Sequence, residues 1–225
     1  MTETQQETPK KNFIAYLPQQ MADWEIGMAV AELANGDFTT QPVNLTYVSV
    51  DGKPLATIGG MRVTPDKSVD EVDWEGVDGL ILSGGEGWWK GLEGDAVLDQ
   101  VPGLLSRGAP VGAICGAVDA LADKGILNGR EHTGNHLDGL KTKPGYDGEA
   151  TFQANPVAVD GTLVTASSNG AIPLAKSLLL LSGALSADLA EDWAAYWDDY
   201  DQSAMMRLFQ KAGYMDADGN WLEQE

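Results

Sequence analysis

This chain of 225 residues has a single cysteine, two histidines and only 14 basic residues. A lone cysteine excludes an internal disulfide, and two histidines beside it cannot build a cysteine-rich zinc cage. No metal site or cofactor is therefore expected. Against the 14 bases stand 34 acids, a formal net charge of −20. A surface that negative repels phosphate backbones and anionic lipid, so neither nucleic acid nor membrane is an expected partner. Long apolar runs are missing too. Leu178 to Leu181 and its surroundings fall short of the ~18 residues a membrane span needs. The N-terminal MTETQQETPKKN lacks the apolar stretch of a secretory signal, which makes a cytoplasmic protein the expectation.

What is present is an apolar fraction of 43% and 27 glycines, enough for one sizeable core with many tight connections. Residues 1–10 read as a disordered tail. Short apolar runs of buried-strand type come next at 13–17, 43–50, 77–82 and 110–114, with a pair at 157–159 and 163–166. A short strand is expected at 130–133 and a hairpin-like excursion over 51–63. Helices are expected over 22–35, with Trp24, Met28, Ala31 and Leu33 as its apolar positions, and over 96–106, 116–124 and 171–182. Buried strands alternating with helices predict an α/β fold: a flavodoxin-like three-layer sandwich around a mostly parallel sheet. That domain spans 11–186. Residues 187–225 form a C-terminal helical extension packed on it, acidic and rich in aromatics. Trp193, Tyr196, Trp197 and Tyr200 are spaced to share one helix face, which serves packing on the domain, a cap over the site or a subunit contact.

The chemistry concentrates at Pro110-Val-Gly-Ala-Ile-Cys-Gly-Ala117. A strand that turns at once into a helix puts Cys115 at the carboxyl edge of the sheet, where α/β proteins bind ligands. Ala113, Gly116 and Ala117 are the small neighbours such a strained nucleophile elbow demands. A helix N-terminus beside the sulfur favours the thiolate. The alternative is a small core hydrophobe, the commonest fate of a lone cysteine. One strand earlier, Leu82-Ser-Gly-Gly85 leaves backbone N–H groups uncovered by side chains, so Gly85 and Gly116 could together hold an oxyanion. Trp88 and Trp89 come close behind and either wall the pocket or pack on the next helix.

These motifs, with Asp23-Trp-Glu25 after the first strand and Leu163-Val-Thr-Ala166 before the helix at 171–182, resemble the ThiJ/PfpI superfamily. That is the class I glutamine-amidotransferase-like group that includes the Parkinsonism-associated deglycase. The resemblance covers residues 11–185. It implies a homodimer and an acidic residue hydrogen-bonded to the cysteine. Glu25 matches that position, with Asp23 nearby, and a carboxyl beside a thiol can share its proton or stabilise an oxidised sulfur. The resemblance also implies a histidine or tyrosine brought to the cysteine by the strand after the elbow helix. By spacing Asn135 or His136 would stand there. His136 is the candidate base, Asn135 a pocket residue, and His132 a core histidine.

Two departures narrow the function. Gly116 stands where many PfpI-type proteins have a histidine after the cysteine, and there is no downstream His-x-Glu pair. Glutamine amidotransferase chemistry is therefore not expected. The leading expectation is a cysteine nucleophile, Cys115, acting without cofactor on a small electrophile, with hydrolase, hydratase and glyoxalase or deglycase outcomes all open. A peroxide-responsive sensor using the same sulfur, and a catalytically silent binding protein, are the alternatives.

Overall fold

Phe13 and Ala15 face one side of the central sheet and Ile14 and Tyr16 the other, and all four are buried. A strand buried on both faces cannot alternate apolar with polar, which is why β1 (Asn12–Tyr16) reads as a continuous apolar run. The computed structural model describes residues 10–223. The tail expected to be disordered over 1–10 lies outside those residues except for its last member.

The seven-stranded sheet also contains β2 (Asn44–Ser49), β5 (Lys67–Ser68), β6 (Gly79–Leu82), β7 (Val111–Ile114), β8 (Val157–Asp160) and β9 (Leu163–Ala166), in the order β5-β2-β1-β6-β7-β9-β8. Every pairing is parallel except β8 with β9. A separate hairpin pairs β3 (Leu55–Ala56) with β4 (Arg62–Val63). One face of the sheet carries α1 (Gly27–Asn35) and α6 (Ala171–Ser182), and the other carries α3 (Val101–Ser106) and α4 (Gly116–Asp123). This is the expected flavodoxin-like three-layer sandwich. Two short helices, α2 (Glu86–Trp89) and α5 (Leu137–Leu140), lie in the connections after β6 and after α4.

Three local expectations change. The helix expected over 22–35 begins only at Gly27. The backbone of 20–23 is engaged elsewhere: Ala22 N–H donates to Gly84 O, Glu86 N–H to Gln20 O, and Ile58 N–H to Met21 O. Those bonds lash the connection after β1 to the β6 loop and to the hairpin, and a helix cannot make them. The strand expected at 130–133 shrinks to a single bridge, His132 to Phe152. Tyr200 falls past the end of α7 (Ala187–Trp197), with φ 59° and 87% exposure, so it does not complete the aromatic stripe.

α7 and α8 (Gln202–Lys211) pack on each other, and α7 packs on α6. Trp193 is fully buried in the same apolar cluster as Phe13, Leu174 and Leu189. The two basic residues of this acidic segment, Arg207 and Lys211, both close on buried Asp192, at 2.6 and 2.8 Å. Among the described residues no helix is long and apolar enough to cross a membrane.

If the extension shares the core of the sheet, Trp193→Ala leaves a large cavity and lowers stability by about 3–5 kcal/mol. Trp197, 39% exposed, loses far less on the same change. Urea unfolding of the two variants separates these outcomes, and a Trp193→Ala midpoint equal to wild type would show the extension to be energetically independent.

Candidate active site

Cys115 closes β7 and caps α4 with φ 56° and ψ −120°, a conformation that strains any residue with a side chain. Its N–H bonds Ala166 O on β9 at 3.0 Å, which holds the bend at the carboxyl edge of the sheet. The elbow is therefore where the sequence places it. Its accessibility is not: Cys115 is only 7% exposed. Burial, joined by the negative charge of Glu25, pushes the thiol up to about 11 against the pull of Asn135 and the Gly116 N–H. The helix N-terminus does not win this contest, because removing a sulfur anion from water outweighs one half-turn of dipole.

Glu25 lies against the sulfur as the resemblance implies. It is 1% exposed, and burial raises its carboxyl to about 7, offset in part by the Cys115 thiol and the Gly84 N–H. Neither carboxyl oxygen makes a hydrogen bond of full geometric quality. The pocket therefore favours the protonated acid. Gly84 is what permits the approach. A Cβ there would stand 2.1 Å from Glu25 Oε2 and 2.8 Å from the Cys115 Cβ. Asp23, the nearby alternative, turns away: its carboxylate accepts from Gly59 N–H at 2.7 Å and, with help from Thr57, ties down the hairpin.

The third group at the sulfur is Asn135, not His136. Asn135 Nδ2 donates to Sγ at 3.3 Å, and its Oδ1 accepts from Ser168 N–H at 2.9 Å. The Ser168 N–H can only donate, so it fixes which end of the amide meets the sulfur. The exposed His136 caps α5 instead, its Nδ1 accepting from Gly139 N–H at 2.9 Å. That corrects its assignment as the base beside Cys115. His132 is fully buried between Arg130 O and Tyr146 OH, each 2.8 Å away, and its pKa is held down by burial.

The two glycines meet at the elbow. A Cβ on Gly116 would lie 3.1 Å from Gly85 O, and the Gly116 N–H acts on the sulfur. Trp88 and Trp89 close on the same glycine, 3.4 Å from that Cβ position. They line a cleft with Asp119, Lys124 and Lys143 on the far side of the elbow, and the sulfur is not in its lining. Trp88 Nε1 donates to Ser83 O at 2.9 Å and Trp89 Nε1 to Asp119 Oδ2 at 2.7 Å. A second cleft, bordered by Asn135, His136, Phe152, Asn155, Ser168 and Asn169, has no Asp, Glu, Lys or Arg in its lining.

One pair escapes sequence reasoning. Glu93, 3% exposed, accepts from Tyr16 OH at 2.7 Å and from Gln19 N–H at 2.8 Å. It anchors the loop after α2 to the end of β1 and so steadies Gly85. Burial raises its carboxyl as well. No spacing in the sequence joins residues 16 and 93. Among the described residues, no cluster of His, Cys, Asp or Glu could hold a metal ion.

The DJ-1/PfpI family model matches residues 11–180. An uncharacterized protease of Bacillus subtilis, YoaZ, is 34% identical over 182 residues, 79% of this chain and 86% of that protein. Among solved structures, a thiJ/pfpI family protein from Bacillus anthracis superposes with TM-score 0.83 at 33% identity, covering 90% of this chain and 97% of that one. The DJ-1 superfamily protein Atu0886 from Agrobacterium tumefaciens gives 0.74 at 32%, covering 84% and 99%.

The raised carboxyl of Glu25 makes a pH-dependent demand on stability. The folded value of about 7 lies above the ordinary 4.5, so the contribution of this group is complete below 4.5 and is lost as pH rises through 7. Glu25→Gln removes the dependence. The variant gains about 3 kcal/mol on wild type between pH 4.5 and pH 8. Urea unfolding at both values reads the difference directly, and a constant gap would place the ionised carboxylate in a polar setting after all.

Proposed function

From the premise that this chain belongs to the DJ-1/PfpI family, we propose that it is a cofactor-independent cysteine enzyme acting on a small carbonyl electrophile. The observation that carries this reading is the buried carboxyl of Glu25 against the sulfur of a strained elbow. Cys115 attacks the carbonyl carbon. The S–H proton passes to the Glu25 carboxylate as the S–C bond forms, and the carbonyl π pair moves to oxygen. Gly116 and Gly85 N–H groups receive that oxyanion. Glu25 then returns its proton to the oxygen, and atoms and charge balance as a hemithioacetal-type adduct. The fate of that adduct, by hydration, hydrolysis or internal proton transfer, is set by the substrate.

The neutral resting thiol suits this scheme. A thiol near 11 is scarcely ionised at neutral pH, so it attacks only when a base removes its proton in the same step. Glu25 is that base, and Asn135 cannot be, because an amide does not take up a proton at this pH. His136 serves at the rim of the second cleft, Trp88 and Trp89 at the flank of the elbow. Peptide hydrolysis, which the name of the Bacillus relative suggests, needs an acid for a departing amine as well. One carboxyl must then serve both ends, and a small carbonyl substrate asks less of it. A cytoplasmic homodimer is the assembly that the family resemblance supports.

A second reading has its own observation. Asn135 Nδ2, the Gly116 N–H and a protonated Glu25 all present donors to the sulfur, which is what a sulfinate anion requires. Peroxide titration with mass spectrometry, run beside turnover on methylglyoxal, separates the two. Stable oxidation without turnover favours the sensor.

The enzyme reading fixes a pH profile. Glu25 accepts a proton only when ionised, so the rate of Cys115 with iodoacetamide rises as pH passes about 7. In Glu25→Gln that step disappears, leaving only the rise from the thiol's own ionisation, which falls below about 11 once the charge of Glu25 is gone. An unchanged step in the variant would remove Glu25 from the mechanism.

A further inference from the structure

Trp24 Nε1 donates to Ser168 O at 3.1 Å. The bond joins the connection after β1 to the connection after β9. In the sheet β6 and β7 lie between those strands, and they are the two whose ends carry Gly84 and Cys115. The indole that reaches Ser168 from residue 24 thus links the two connections that flank the carboxyl ends of both. Its neighbour Glu25 goes inward, 1% exposed and against the sulfur, while Trp24 stays 55% exposed. Consecutive side chains thus part, one inward to the sulfur and one outward to the connection after β9.

The bond is also the first link of a chain. Ser168 O accepts from Trp24, Ser168 N–H donates to Asn135 Oδ1, and Asn135 Nδ2 donates to Sγ. Asn135 and Ser168 border the second cleft, whereas Cys115 and Trp24 are not in its lining. The cleft ends at the residues that hold both the sulfur and the indole.

We propose that Trp24 is a movable roof over Cys115 and the specificity-determining residue of the site, admitting small uncharged electrophiles from this cleft. The proposal rests on the reading of Cys115 as a nucleophile. Three features set the ligand class. The cleft offers no Asp, Glu, Lys or Arg to compensate an ion, and the chain at −20 repels anions. The roof is fastened by one neutral hydrogen bond, which a ligand can replace at small net cost. Swinging Trp24 out leaves Ser168 O without its donor beside the reacting carbon. The favoured ligand therefore carries an O–H or N–H next to its electrophilic centre, and that group restores the lost bond.

The test is the rate of Cys115 modification in the full-length protein, measured by intact mass at fixed pH. Iodoacetamide serves as the small reagent and N-phenylmaleimide as the bulky one, each normalised to free cysteine. Wild type discriminates against the bulky reagent. Trp24→Phe keeps a ring and loses the N–H, and it speeds N-phenylmaleimide about fivefold, the weight of one neutral hydrogen bond. Trp24→Ala speeds it further, with a much smaller gain for iodoacetamide. In both variants the iodoacetamide rate still rises through about pH 7, which shows Glu25 undisturbed. Should the alanine variant not fold, the phenylalanine variant carries the test alone. Equal acceleration of both reagents, or none, overturns the roof while leaving the nucleophile intact. A Cys115 that stays inert to iodoacetamide in every folded variant overturns both.

Discussion

The burial of one carboxyl group against one sulfur organises this molecule. A carboxylate taken out of water with no strong partner is costly, and the fold meets that cost by letting Glu25 keep its proton near neutrality. The arrangement constrains everything around it. Residue 84 must lack a Cβ, because any side chain would overlap Glu25 and Cys115 together. The connection after β1 must leave the strand without starting a helix, so that residue 25 can point inward. The strained elbow must be held, and β9 holds it through the Cys115 N–H. Two apolar layers, one on each face of the sheet, supply the stability against which these local costs are set.

Three connections at one sheet edge divide the work. The one after β1 brings Glu25 and Trp24. The glycine loop after β6 brings close backbone approach, and Glu93 steadies it through Tyr16 and Gln19. The elbow after β7 brings the sulfur. Asn135, from the segment after α4, is the fourth contribution, and it is rigid because Ser168 fixes its amide. Asn135 and Trp24, though on loops, are each tied to Ser168 of a neighbouring loop, and that kind of support gives a loop side chain a fixed position.

How much of this is legible in the sequence depends on the range of each signal. The buried strands are legible because apolar runs bounded by glycine and proline are local. The elbow is legible because small residues around a cysteine at a strand end leave few other structures. Glu25 is not legible from its own surroundings, which describe an exposed first-turn carboxylate, and it enters only through the family resemblance. Trp24 reads as a helical position because its spacing to Met28 and Ala31 fits a helix. Bonds from residues 58, 84 and 86 override that spacing, and they are invisible in a linear pattern. Spacing cannot decide between consecutive residues either. Asn135 and His136 are equally placed by counting, and the Ser168 N–H decides for the amide. The thiol is misread in direction because the sequence displays a helix start but not the cover above it.

The choice of an amide at that third position has a chemical consequence. A histidine there would give the sulfur a second titrating partner, able to take its proton and to protonate a leaving group later. Asn135 presents only its Nδ2 donor to the sulfur, its Oδ1 being taken by the Ser168 N–H, and Tyr16 and Glu93 satisfy each other at the other side of the β6 loop. On the proposed reading, proton movement at Cys115 runs through Glu25 alone, so the carboxyl that accepts a proton must be the one that gives it back. Additions and internal proton transfers close such a cycle with a single group. Reactions that expel a basic amine while activating water require two protonation states at once. On the proposed reading the site suits the first kind, and a Glu25 carboxyl near 7 lets both of its forms be populated near neutral pH.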